Sequence, residues 1–277
     1  MSNATIYTLK NADFSGQGLP SIFPFVAQTE AEFAYDFRTR ANRLNDLTGR
    51  HADLVPKRQD IVGGVTRVVD PTIVVDQDAG AGIRLELGYL ETDIACPTIP
   101  IDGSVQFSIL VVGGYSGVAF PSNKVAMSNA LLANLLDFGT SISSSSSFCF
   151  DDKPGSAPPM IGNRIKSGDF SNASNKGTST KKCAMILTFN GTTWTLHNKT
   201  LGTVVAKTNT ELGITAPLAP STEHVQKVVS GHYHSTSTLA AHYPALYQLA
   251  RWNRVLTQTE IDRQYAFTKA AFPTIGV

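Results

Sequence analysis

The chain has 277 residues, a formal net charge of +1 and only 16% charged residues. Phosphate-driven binding requires clustered lysines and arginines, so this composition excludes a general nucleic-acid-binding surface. The length is sufficient for the core of one large all-β domain.

The cysteines and the apolar segments indicate the cellular setting. Cys96, Cys149 and Cys183 follow no paired spacing and have no histidine at metal-ligand spacing, so no zinc site is predicted. We expect three reduced thiols, as in a protein made in a reducing cytoplasm, with a single disulfide as the alternative. No segment has the apolar length of a signal peptide or a membrane span, so we expect a soluble protein without membrane insertion.

Residues 1–33 are predicted to form an N-terminal arm ahead of a domain over residues 34–277. Thr29 and Glu32 are spaced as a capping box, so a short helix is predicted from Thr29 to Phe37. An arm of this length cannot bury its apolar residues alone. We therefore expect the arm to dock, either on its own domain or on a neighbouring subunit.

Nine short segments rich in Val, Ile, Thr and aromatic residues, separated by Gly, Asn, Asp and Pro, predict β-strands. They are residues 64–69, 72–75, 83–87, 105–112, 184–189, 193–198, 204–206, 226–231 and 245–252. Asn190-Gly191 predicts a two-residue type I′ hairpin turn. Trp194 and Trp252 lie in alternating strands and are predicted core residues. Many short strands with few helices predict an all-β sandwich or barrel.

The chain ends in a predicted strand and one short helix. Thr257 and Glu260 are spaced as a capping box at the start of this helix. Ile261, Tyr265 and Phe272 form an apolar stripe along it. A helix of this length is marginal in water, so it must pack on the sheet that the preceding chain forms.

Four segments follow one another in an order shared with a known domain family. They are the turn Leu44-Asn45-Asp46-Leu47-Thr48-Gly49, the strand 107–112, the strand pair 185–196 and the tail 246–261. Within the tail, Trp252-Asn253-Arg254-Val255-Leu256-Thr257 is followed by Glu260-Ile261. This order resembles the LamG-like, concanavalin A-like jelly-roll domains from about Phe37 to Phe272. The resemblance implies an all-β jelly-roll sandwich with an N-terminal arm and a short C-terminal helix.

The resemblance restricts function only weakly, because this fold hosts lectins, adhesion modules, hydrolases and virion parts. The arm and the cytoplasmic cysteine usage are also similar to phage tail and capsid-accessory proteins. The leading interpretation is a non-enzymatic virion component of a phage tail, baseplate or capsid decoration, made in the bacterial cytoplasm without a signal peptide. It would form homo-oligomers, contact other virion proteins and present a lectin-like domain to a host-surface glycan. A free carbohydrate-binding lectin is the alternative.

Glycoside hydrolases of this fold suggest a second alternative. They carry paired carboxylates in an E-x-D-x-x-E pattern on one strand. Glu86 and Glu91 have the spacing of the outer pair, but Gly88 replaces the middle aspartate. On one regular strand an odd separation directs the two glutamates to opposite faces. We therefore predict no enzymatic activity.

Two groups of residues are candidates for ligand binding. Tyr115 lies in a glycine-rich segment, where small neighbours let a ligand approach the backbone and the ring provides a platform. His232-Tyr233-His234 combines rings that stack on a sugar with imidazole nitrogens that bind hydroxyls. The two histidines share a strand face and would suit a metal, but no third ligand is evident. An ordinary polar loop is the alternative for both groups.

A calcium site is a further candidate, because carboxylates lie at several turns. Asp76, Asp78 and the pair Asp151-Asp152 lie at turns, but with fewer oxygens than a tight calcium site requires. We therefore predict no cofactor, with calcium as the alternative. Residues 139–180 are rich in Ser, Gly, Asn and Pro and predict a long loop that is mobile or functional.

Overall fold

The computed structural model describes residues 25–38, 44–58, 61–62, 65–66, 72–75, 82–86, 88–95, 98–119, 147–151, 160–165, 168–169, 182–217, 225–230 and 242–277. Their regular elements are strands, a short 3-10 helix over Gln28–Glu30 and the α-helix α1 over Gln258–Ala271. The strands are β1 (Ala31–Asp36), β2 (Val55–Arg58), β3 (Ile61–Val62), β4 (Val65–Thr66), β5 (Thr72–Val75), β6 (Ile83–Glu86), β7 (Gly88–Ala95), β8 (Phe107–Ala119), β9 (Ser147–Asp151), β10 (Met160–Ile165), β11 (Gly168–Asp169), β12 (Lys182–Phe189), β13 (Thr193–Asn198), β14 (Thr203–Thr208), β15 (Val225–Ser230) and β16 (His242–Trp252).

One large antiparallel sheet organises the molecule. Its strand order is β14-β13-β12-β8-β16-β6-β5, and β1 pairs with the end of β16 beside β6. A smaller sheet has the order β15-β7-β2, and the remaining strands form β11-β10-β9 and the pair β3-β4. The prediction of an all-β sandwich with one short C-terminal helix is confirmed, and the paired strands are antiparallel.

The large sheet is buried on both faces. Along β8, Ile109 and Val111 join one core cluster, while Leu110 and Val112 join another. We call the first side the front face; it packs against Leu90 of the smaller sheet. The second side is the back face, covered by α1 and the C-terminal residues. This arrangement explains why the middle strands read as continuous apolar runs rather than as simple alternation.

Both tryptophans are core residues, as predicted, and each is fully buried. Trp194 lies on the front face, stacked on Phe189 with ring centroids 4.1 Å apart. Trp252 lies on the back face, and its indole N–H donates to the Val26 carbonyl at 3.0 Å. Each indole N–H has a partner, as burial of a tryptophan requires, because Trp194 donates to Asn209 Oδ1 at 2.8 Å.

The helix predicted from Thr29 to Phe37 is wrong. After the 3-10 turn this segment is the strand β1, in which Phe33 pairs with Arg251. Phe33 belongs to the front cluster and Ala34 to the back cluster, which is the period of two that a sheet imposes. The boundary predicted at residue 33 therefore falls inside β1, and Phe25 of the predicted arm, 1% exposed, belongs to the back cluster. Residues 1–24 of the predicted arm lie outside the described residues.

The C-terminal helix begins as predicted. The Thr257 side chain accepts from the Glu260 amide, and the Thr257 amide donates to Glu260 Oε2 at 2.8 Å. Arg254 forms a two-pronged contact with the same carboxylate, at 2.9 and 2.6 Å, and a third bond to Glu30 at 2.7 Å. The arginine of the tail motif thus connects the 3-10 turn to the start of α1.

The hairpin between β12 and β13 differs from the predicted type I′ turn. Only Gly191 of the pair has positive φ, at 101°. The Asn190 side chain instead accepts from the amides of Thr192 and Thr193, at 3.1 and 2.8 Å. An Asx-type turn replaces the second left-handed residue, because the side chain supplies the acceptor that closes the turn.

Candidate functional site

The strand pairing places Tyr115, one of the predicted ligand-binding residues, near the start of β16 at one end of the large sheet. Tyr115 lies in β8 opposite Pro244 of β16, and His242, the first residue of β16, lies opposite Ala119. Residues 231–241 connect the end of β15 to the start of β16, where His242 lies two residues before Pro244, the residue opposite Tyr115. His232, Tyr233 and His234 themselves lie outside the described residues, as does the side chain of Tyr115.

The same end contains the point where the chain passes from the large to the smaller sheet. Glu86 ends β6, opposite Thr72, and β7 begins only two residues later at Gly88. Glu91 lies in β7, opposite Val55 on one side and Lys227 on the other. The assumption that Glu86 and Glu91 share one strand is therefore wrong, because the chain changes sheets between them. We call this end, formed where β6, β8 and β15 end and β7 and β16 begin, the Tyr115 end.

The calcium candidates lie mostly beyond what the structure describes. Asp76, Asp78 and Asp152 are outside the described residues. Only the backbone of Asp151 is described; it lies in β9, opposite Met160 of β10. Within the described part of the chain, no group of three or more histidine, cysteine, aspartate or glutamate side chains is arranged to hold a metal ion.

Asp46 accepts hydrogen bonds from four backbone amides, and the sequence indicates it only through the turn motif. It is buried and accepts from the amides of Ala34, Thr48, Arg50 and His51 at 2.9–3.1 Å. Four amide donors to one carboxylate fix the turn after Leu44 against β1. This motif of the family resemblance is thus a structural clamp.

A polar patch adjoins that clamp. The His51 Nδ1 lies 3.3 Å from Asp93 Oδ1, and the other oxygen of Asp93 accepts from the Ala52 amide at 3.0 Å. Tyr35 donates its hydroxyl to the Ala52 carbonyl at 3.4 Å. Burial, reinforced by the negative charge of Asp46 and Asp93, raises the pKa of Tyr35 well above its usual range, so its phenol stays protonated. The patch joins the loop before β2 to β7.

A second polar cluster lies under α1. Lys199 pairs with Asp262 at 2.7 Å, and its ammonium lies 5.7 Å from the centre of the Tyr265 ring. His197 is buried beside this pair. Burial, with a smaller effect of Lys199, lowers the pKa of His197 below its usual range. The imidazole is therefore neutral at pH 7.

A groove of about 290 Å³ lies between the segment before the 3-10 turn and α1. Its floor is fixed because the Val26 amide donates to Gln264 Oε1 at 2.9 Å and Trp252 donates to the Val26 carbonyl. Arg263 covers the Phe267 ring at 5.4 Å along one wall. The groove is lined by Phe25, Val26, Ala27, Gln28, Thr29, Glu260, Arg263 and Phe267. No sequence pattern indicated it, because its two walls are more than 200 residues apart.

No protein-family model and no curated protein matches the sequence. Solved structures do match. They include Domain 4 of AbnA, a GH43 extracellular arabinanase from Geobacillus stearothermophilus, in complex with arabinotriose (TM-score 0.49, 9% identity, covering 85% of this chain and 98% of that chain). They also include the binding domain of botulinum neurotoxin serotype D (TM-score 0.50, 8% identity, 88% and 51%) and botulinum neurotoxin type C (TM-score 0.50, 10% identity, 87% and 51%).

The chain therefore aligns with about half the length of the two neurotoxin chains it matches, 51% in each case. Among the described residues, no helix has both the length and the apolar character needed to span a membrane. At these sequence identities the likeness shows the fold alone: the protein is an antiparallel β-sandwich with a C-terminal helix.

Proposed function

We propose that the protein is a non-enzymatic glycan-binding module of the LamG-like type, with its binding surface at the Tyr115 end of the sandwich. The observation that carries the proposal is the pairing of β8 with β16, which places Tyr115 opposite Pro244. The strand β16 begins at His242, a few residues after His232, Tyr233 and His234 in the sequence, and we infer that these residues and Tyr115 share one ligand-binding surface. A tyrosine ring and imidazoles on one surface would suit a sugar ring and its hydroxyls.

The fold is compatible with glycan binding but does not identify the ligand. Cell entry of botulinum neurotoxin type C depends on interaction with two ganglioside molecules, and that protein shares the β-sandwich fold. Because one fold serves many functions, the ligand of this chain must come from its own loops. From the sequence resemblance we also propose the biological setting. The protein would be a phage tail, baseplate or decoration protein that assembles from several copies and binds a host-surface glycan.

The first test is binding of the purified protein to an immobilised glycan panel and to host-type cells, with and without calcium. We expect saturable binding that one sugar competes and that chelation of calcium leaves unchanged. Tyr115→Ala and His232→Ala should each weaken binding at least about tenfold, or about 1.4 kcal/mol. His51→Ala is the matched control, since His51 lies in the loop before β2 and pairs with Asp93.

Two results would contradict the proposal. One is the absence of binding to any glycan or cell, which would leave the sandwich as a structural part of its assembly. The other is polysaccharide hydrolysis that disappears in Glu86→Gln, which would make the protein a glycoside hydrolase. Equal losses of glycan affinity in Tyr115→Ala and His51→Ala would show that the binding surface is not at the Tyr115 end.

A further inference from the structure

The large sheet ends in a regular, open edge strand. β14 pairs with β13 without a register shift, from Thr193 opposite Thr208 to Asn198 opposite Thr203, and the described residues provide no strand on its other side. It contains no proline and no bulge, and Lys207 is the one charged residue that it offers among the devices that protect an edge. Val204, at 60% exposure, is the most exposed large hydrophobic residue that the structure describes.

The register identifies which backbone groups of β14 face outward. The Asn209 amide donates to the Thr192 carbonyl, so alternate residues from Asn209 back to Thr203 direct their groups toward β13. Val204, Ala206 and Thr208 therefore direct theirs away from it. Thr208 is already satisfied, because its amide donates to Glu211 Oε2 at 2.7 Å and its carbonyl accepts from the Leu212 amide at 3.1 Å.

Two amides and two carbonyls, those of Val204 and Ala206, thus form the open part of the edge. We propose that two copies of this chain pair through β14, in antiparallel orientation, and continue the large sheet across a two-fold axis at Val205. In this register Val204 of each copy faces Ala206 of the other. All four open groups are then used, and they form four hydrogen bonds with the same four groups of the second copy.

The side chains fit a second copy in this register. Lys207 faces Thr203 of the other chain, so no like charges are opposed. Val205, which packs partly on the front core, meets its own counterpart and extends that core. A register shifted by two residues places Val204 opposite Val204 and leaves the Ala206 groups facing the turn at Gly202. The open edge is therefore self-complementary in one register only.

The test is the mass of the protein measured by sedimentation over roughly a hundredfold range of concentration. An interface of one short strand is small, so we expect a reversible monomer–dimer equilibrium rather than a permanent dimer. Val204→Lys combined with Ala206→Lys opposes lysines directly and should leave only monomer. Val55→Lys, at the other exposed valine (47% exposed, in β2), is the matched control and should dimerise like the wild type.

A charge swap at the same two positions tests the register. Val204→Lys combined with Ala206→Glu places each lysine opposite a glutamate, so dimerisation should return and weaken with added salt. A register with Val204 opposite Val204 would oppose the lysines, and the swap would then rescue nothing. Monomeric wild type at every concentration, or a dimer that survives the double lysine variant, overturns the proposal. Thermal melts of both double variants show whether the sandwich remains folded.

Discussion

Replacing Gly191 by alanine tests a close approach between two turns of the backbone, those at Gly191 and Gly103. A Cβ at Gly191 would lie 2.3 Å from the Cα of Gly103, in the turn that Asp102 caps through the Ser104 amide. Gly191 also has a φ of 101°, which costs an L-residue about 1–2 kcal/mol. Forcing the two backbones apart adds about 1–3 kcal/mol, as other overpacked sites do. We expect Gly191→Ala to destabilise by roughly 2–5 kcal/mol.

Gly202→Ala is the matched control. Gly202 also has positive φ, at 68°, but no atom lies within 4 Å of the added methyl. Its cost is the backbone term alone, reduced by the lower entropy of the unfolded chain, so about 0–1.5 kcal/mol is expected. Urea unfolding of the three proteins gives the comparison, provided the slopes with denaturant agree. A difference between the two variants below about 0.5 kcal/mol would show that Gly103 does not limit the hairpin.

Two further predictions concern the back face. Trp252→Ala should destabilise by about 3–5 kcal/mol in the same urea assay, because it empties a buried site and leaves the Val26 carbonyl without its 3.0 Å donor; a loss below about 1 kcal/mol would place the indole at the surface. The Arg254 contact holds the pKa of Glu260 at about 2, below its ordinary 4.5, so this carboxylate stabilises the fold above pH 4.5 and loses that effect as the pH falls toward 2. Glu260→Gln keeps a capping-box residue but removes the charge, so its deficit at pH 7 should shrink over that range; a deficit constant with pH would assign the effect to capping alone.

The sequence predicted the strands best where one residue pattern had one cause. β12 and β13 are rich in β-branched and aromatic residues, which favour strands. The capping box at Thr257 predicts the start of α1 from two residues that are three positions apart. Both predictions hold because the responsible contacts lie within a few residues of each other. The tail motif follows the same rule in part, since Arg254 and Glu260 are six residues apart, but its bond to Glu30 could not be foreseen.

The segment around β1 was misassigned because its partner is distant. Thr29 and Glu32 match a helix start, and nothing nearby contradicts that reading. Pairing with β16, more than 200 residues later, overrides it and buries Phe33 and Tyr35 in the front core. The same distance hid the groove beside α1. Glu86 and Glu91 were assigned to one strand for a related reason, since a change of sheet at Gly88 has no residue pattern of its own.

The candidate site stays a prediction from the residue types in the sequence. Tyr115, His232, Tyr233 and His234 are predicted from their chemical character, and the register of β8 with β16 adds only that Tyr115 lies opposite Pro244, near the start of β16. By contrast, the N-D-x-T-G turn carries the densest polar network described, and that network stabilises the fold. Turn motifs built on an aspartate serve the backbone first, because the carboxylate satisfies several amides at once.

Burial of the large sheet on both faces determines where this protein can meet other molecules. The front face is covered by the smaller sheet and the back face by α1, so neither presents an open sheet surface across β8, β12 and β16. Within the part of the chain that the structure describes, the ends of the sandwich and the edge strand β14 remain open to other molecules. The Tyr115 end and β14 belong to these two classes and use different chemistry, side-chain rings at the end and backbone groups at the edge. A β14 variant that is monomeric should therefore keep its glycan affinity per chain and lose only the gain in avidity that a dimer provides. Loss of both properties together would show that the two surfaces are coupled.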